Sequence, residues 1–148
     1  MSARETALAS LQVALADALG TRSPAPLLLR NETVPQRLPP GGLVVLRDGE
    51  TVEATPLLSP LAWTVEHRAE VEVTVAGTTA VARTTLLDAI LADIAAAIAA
   101  HRTLGGAVEW AQAGAPSFED VEFDGAAAVR AASVAVTLFF TAAGSPLS

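Results

Sequence analysis

The 148-residue chain has no cysteine, which excludes disulfides and thiolate-bound metals. It has no lysine either; all nine basic residues are arginines. With the many alanines, this reflects a GC-rich genome rather than a function. Two histidines, His67 and His101, are too few for a His-rich metal site. Long apolar runs are also missing. The longest, from Leu86 to Ala100, is broken by Asp88 and Asp93. It is too short and too charged to span a hydrocarbon layer of about 30 Å. No basic n-region precedes an apolar h-region, so no signal peptide is expected. The formal charge is −7. An acidic surface argues against binding the DNA backbone, which calls for a basic patch. It leaves room for a protein that DNA slides past without sticking.

What is present fits one domain over 1–148. A chain of this length buries roughly 68–70% of its unfolded surface, enough for a core without staples. Ser2 and Glu5 form a capping box. Leu8, Leu11, Leu15 and Leu19 follow at helical spacing, and Gly20 ends the run. A helix is predicted over 3–19. Seven of the nine prolines fall between 21 and 62. Proline punctuates helices and cannot donate within a sheet. Yet Leu27–Arg30 and Leu43–Leu46 are β-like, and Asp48-Gly49 is a hairpin-turn dipeptide. Residues 43–47 and 50–57 are therefore expected to pair as a hairpin. The whole of 21–61 is expected to form a Pro-rich β extension.

Residues 62–76 alternate strictly. Trp63, Val65, His67, Ala69, Val71, Val73 and Val75 form one phase; Thr64, Glu66, Arg68, Glu70, Glu72 and Thr74 form the other. That is a strand with one buried and one polar face. At about 3.3 Å per residue it reaches roughly 50 Å. A second helix is predicted over 81–101, striped by Leu87, Ile90, Leu91, Ile94 and Ile98. His101 and Arg102 fall in its last turn, where positive charge suits the dipole. A short strand is expected over 107–113, a polar loop over 114–125, a central strand over 127–141 and a frayed tail over 142–148. The fold class is α+β: a mostly antiparallel sheet with two helices on one face.

Chemistry is hard to assemble from these residues. No serine lies in a Gly-x-Ser-x-Gly elbow, so no catalytic residue is expected. His67 lies on the apolar phase. It reads as a local hydrogen-bonding histidine rather than a base or a ligand, and so does His101. Glu66, Glu70 and Glu72 share a strand face with Arg68, spaced about 7 Å apart. That suits neither a carboxylate dyad nor a metal cage. Glu119, Asp120, Glu122 and Asp124 lack the ligand positions of a calcium loop. No cofactor and no metal are expected. These eight residues are instead candidates for a solvated, subunit-facing or channel-facing surface.

Two stretches carry a resemblance. One is Leu29-Arg30-Asn31-Glu32 with Pro39-Pro40-Gly41-Gly42-Leu43-Val44-Val45-Leu46-Arg47-Asp48-Gly49. The other is Leu58-Ser59-Pro60-Leu61 with Glu66-His67-Arg68-Ala69-Glu70-Val71-Glu72-Val73. With His101-Arg102-Thr103-Leu104-Gly105-Gly106 they resemble small proteins of tail-gene clusters in phages and prophages. The order helix–strands–helix–strands is similar to that of tail-terminator proteins of long-tailed phages. The resemblance implies a homohexameric ring that stops tail-tube polymerisation. Its partners would be the major tail-tube protein and the head-completion or stopper protein. DNA would pass through unbound, no membrane would be involved, and the protein would be assembled in the host cytoplasm into the virion tail or neck. The alternatives are another neck protein (stopper or adaptor), a tail-tube subunit, or a small enzyme or ligand-binding domain with a pocket between the second helix and the sheet.

Overall fold

The computed structural model describes residues 1–35, 37–121 and 128–148. Helix α1 runs Ala3–Leu19, with the Ser2 hydroxyl accepting from the Glu5 N–H at 3.1 Å. It ends at Gly20, as expected, with a right-handed backbone there (φ −66°). Strands β1 (Leu27–Arg30), β2 (Leu43–Leu58) and β3 (Leu61–Ala76) follow. Helix α2 runs Ala80–Ala100, and a 3-10 turn spans Leu104–Gly106. Strands β4 (Trp110–Ala113), β5 (Ser117–Val121) and β6 (Val129–Ala143) complete the chain.

The six strands form one mixed sheet in the order β1-β2-β3-β6-β4, with β5 also on β6. β1 pairs parallel with β2; every other pairing is antiparallel. β3 and β6 pair over fifteen positions, from Ala62↔Ala143 to Ala76↔Val129. β4 takes the Val136–Phe139 stretch of β6 and β5 the Val129–Ser133 stretch. They form one edge strand interrupted at 114–116. Fold class α+β is what the structure has.

Leu8, Leu11, Leu15 and Leu19 of α1 and Leu87, Ile90, Ile94 and Ile98 of α2 share one core. They meet Val65, Ala69, Val71, Val73 and Val75 of β3, and Val136, Leu138 and Phe140 of β6. Both helices therefore cover one face of the sheet. The alternation in 62–76 dictated this: its odd phase is inward, its even phase open.

Four expectations need correction. The 43–47/50–57 hairpin does not form. β2 runs through Asp48-Gly49, and its partner is β3 along the whole length to Leu58↔Leu61. Asp48-Gly49 is a β-bulge instead. The register steps from Arg47↔Glu70 to Glu50↔Arg68, placing an extra residue on β2. Gly49 takes φ +71° there, the left-handed backbone that both a tight turn and this bulge type require. A second register shift follows between Thr51 and Glu53. Next, part of the polar loop 114–125 is strand β5. Third, 142–148 does not simply fray: β6 continues to Ala143, and the Ser148 carbonyl accepts from the Ala3 N–H at 3.0 Å. Finally, α2 stops at Ala100, so Arg102 lies beyond its last turn; its guanidinium donates to the Ala111 carbonyl and stacks on Trp110.

Candidate functional surface

The side of the sheet without helices is the candidate surface. Because paired residues face the same way, the register assigns its members. β3 contributes Glu66, Arg68, Glu70 and Glu72. Opposite them on β2 stand Glu53, Glu50 and Arg47, followed by Val45, which is buried. β6 contributes Ala131, Ser133, Ala135, Thr137 and Phe139, and β5 brings Glu119 in against Ala131. Six carboxylates thus share this face with two guanidiniums, those of Arg47 and Arg68. Arg47 pairs with Glu72 at 3.3 Å, and the Ser133 hydroxyl donates to Glu70. Of the remaining acids, Glu50, Glu53 and Glu66 gather toward the Leu58–Leu61 end, while Glu119, beside Ala131, lies toward the other. Glu53 and Glu66 sit directly opposite each other, a like-charge pairing that destabilises a sheet. With Glu109, Thr55, Thr64 and Phe139 they line a hollow of about 240 Å³.

The sequence candidates therefore divide. Glu66, Arg68, Glu70, Glu72 and Glu119 are brought together on the open face. Asp120 is not: it pairs with Arg130 on the helix side, carboxylate to guanidinium Nε at 3.7 Å. There Arg130 also donates to the Thr84 hydroxyl at 2.8 Å and lies 5.2 Å from the Phe118 ring centre. Glu122 and Asp124 lie outside the described residues. Glu50 and Glu53 were missed because they belong to the segment read as an isolated hairpin; the β2–β3 register alone puts them beside Glu66.

His67 is 2% exposed. Its Nε2–H donates to the Asp48 carbonyl at 2.5 Å, and its Nδ1 meets the Thr51 hydroxyl at 3.1 Å. Both partners belong to the bulged stretch of β2, so the ring satisfies a carbonyl displaced from the ladder. His101 is exposed, and with Val13, Asp17 and Leu104 it lines an open apolar hollow of about 350 Å³ beside α1.

Another hollow, about 410 Å³, lies between α2 and β5–β6; Leu87, Asp88, Phe118 and Arg130 are among its walls. Arg130, its cation, donates from Nη1 to Thr84, while its buried Nε has no hydrogen-bond partner among the described residues and lies 3.7 Å from the Asp120 carboxylate. Among the described residues, no group of three or more His, Asp or Glu side chains is placed to hold a metal. No described helix is long and apolar enough to cross a membrane.

The sheet has two free flanks. Only Leu43–Leu46 of β2 is covered by β1, so Glu50–Leu58 is an edge, with Val52, Leu57 and Leu58 well exposed. β4–β5 forms the opposite edge, carrying exposed Trp110 and Phe118. No family model matches the chain, and no curated protein does. Among solved structures, a chain described as "Virion of native gene transfer agent (GTA) particle" is similar at 16% identity and a TM-score of 0.45, covering 93% of this chain and 92% of that one. At that score the likeness carries no argument about function.

Proposed function

We propose that this protein is a virion structural protein that forms a ring on the tip of a phage-type tail tube. The ring ends tube polymerisation and joins the tail to the head connector, and DNA passes through it. The reading assigns no catalysis and no cofactor. The observation that carries it is the two-sided character of the sheet. One face is sealed by both helices, and the other is open and rich in carboxylates. A face of this kind turned toward a lumen repels phosphate and lets DNA move. The two free edges lie on opposite flanks of the sheet. A ring needs unlike surfaces on each subunit, so that head-to-tail contacts can close. Strand addition at an exposed edge is a common way to make such contacts. The resemblance quoted from sequence points the same way.

The test is to add purified protein to tail tubes and image their ends by negative-stain microscopy. Density at one tip, with tube growth arrested, is the expected result. Bare tips and unaltered tube length refute the reading. A ring structure with Glu66, Glu70 and Glu72 on its outer wall would refute the lumen assignment alone.

A further inference from the structure

Beyond Leu46, β2 loses its β1 neighbour, and β3 alone holds it. The two register shifts, Arg47/Glu50 and Thr51/Glu53, then interrupt that pairing at the base of the outer half. Residues 50–58 have little apolar alternation to fix their phase, and a strand without it slips easily. Something else must set the register.

A knot of polar side chains sits at that base. Arg30, on β1, donates from Nη1 and Nη2 to both carboxylate oxygens of Glu5 on α1, at 2.7 and 2.8 Å. Its Nε donates to the Asp48 carboxylate at 2.8 Å. The Asp48 N–H donates to the Asn31 side-chain oxygen at 3.0 Å. From the other side, His67 takes the Asp48 carbonyl and the Thr51 hydroxyl. Asp48 is thus held by its carboxylate, its N–H and its carbonyl, through three side chains from outside β2.

We propose that this knot is an acid-released latch that holds the outer half of β2 in register on β3. The charged and titratable groups facing it are Glu5 and Arg4 of α1, Arg30 of β1, Asp48 of β2 and His67 of β3. The hydrogen bonds from Arg30 keep both carboxyls, Glu5 and Asp48, below the usual carboxylate range. At neutral pH both are charged and the latch is closed. As pH falls through those lowered values, the carboxylates protonate, and Arg30 loses both counter-charges while still largely buried. Opening frees Glu50–Leu58 and uncovers the β3 edge from Leu61 to Arg68. This proposal does not depend on the ring reading.

Hydrogen exchange by mass spectrometry on the whole protein tests it, at pH 7 and pH 2.5, with rates corrected for intrinsic exchange. Peptides covering 50–58 and 61–68 are expected to exchange tenfold or more faster at pH 2.5, relative to peptides from α2. Arg30→Ala should reproduce this at pH 7. Glu5→Gln, at a half-exposed position, should give a smaller gain in the same peptides and covers the case in which Arg30→Ala fails to fold. Equal acceleration in the hairpin and α2, or unaltered hairpin exchange in wild type at pH 2.5 and in Glu5→Gln, overturns the latch.

Discussion

Gly49 and Gly105 share nearly the same backbone, φ +71° and +70°, but not the same surroundings. A Cβ on Gly105 would have nothing within 4 Å; on Gly49 it would lie 1.9 Å from the Arg68 carbonyl oxygen. Gly105→Ala therefore isolates the left-handed backbone. That costs about 1–2 kcal/mol, partly offset by about 0.4–1 kcal/mol from restricting the unfolded chain. The net expectation is a loss of about 1 kcal/mol. Gly49→Ala carries that cost and must also push β2 off β3. Carbon–oxygen contacts settle at about 3.3 Å or more, so the strands part by more than an ångström at the bulge. The Asp48 carbonyl then moves away from His67. A buried carbonyl without a donor costs about 1–3 kcal/mol, and each neighbouring ladder bond lost adds about 1 kcal/mol. The total is roughly 3–5 kcal/mol. For a chain of this size 1 kcal/mol moves Tm by about 2–4 °C, so the two variants should differ by about 10 °C. Urea unfolding of both, with m-values compared, is the assay. Equal losses would show that the bulge does not bring the two backbones together, and the β2–β3 register described above would be wrong.

Other consequences can be checked alongside. Ile90 is fully buried in α2 against the sheet, so Ile90→Ala should cost about 2–5 kcal/mol in urea. Glu66→Gln removes a like-charge pair with Glu53; it should raise stability by up to about 1 kcal/mol at low salt, with the gain shrinking in 0.5 M NaCl. Glu5 and Asp48 have lowered folded-state pKa values. Their contribution is therefore complete above the unfolded carboxylate range and lost as pH falls through the lowered values. Thermal melts from pH 7 to pH 3 should show this acid limb in wild type, flattened in Arg30→Ala. His67→Ala should cost roughly 3 kcal/mol, through the orphaned Asp48 carbonyl and the space left behind.

The sequence made some elements plain and hid others for physical reasons. Strand β3 was legible because it is central, with one face sealed and one open, so its pattern has period 2 throughout. The leucine stripe of α1 and the isoleucine stripe of α2 were legible for the matching helical reason. The bulge was misread because Asp-Gly supplies left-handed backbone to turns and bulges alike. What separates the two is how far the partner strand continues, and that is a long-range fact. β5 was missed because its Glu119 and Asp120 look like loop residues. An edge strand tolerates them, one facing the open side and the other an arginine. Of the site, the β3 carboxylates could be placed on one face from alternation alone. Their neighbours Glu50 and Glu53 could not, because both register shifts intervene. The Glu5–Arg30–Asp48 knot joins residues from three distant elements, and no local pattern announces it.

The β3–β6 pairing has a consequence for how the chain comes off the ribosome. Its partners are about 50 to 80 residues apart in sequence, so much of the sheet's pairing is non-local and closes late. The β2–β3 hairpin can form early, but one edge of β3 must wait until α2, β4 and β5 have been made. During that interval a long valine-rich strand stands with one edge unpaired, the kind of segment that recruits other chains. Glu66, Arg68, Glu70 and Glu72 alternate along it. Whatever they face in the finished assembly, in the nascent chain they act as gatekeepers, keeping an unfinished sheet from pairing with the wrong edge.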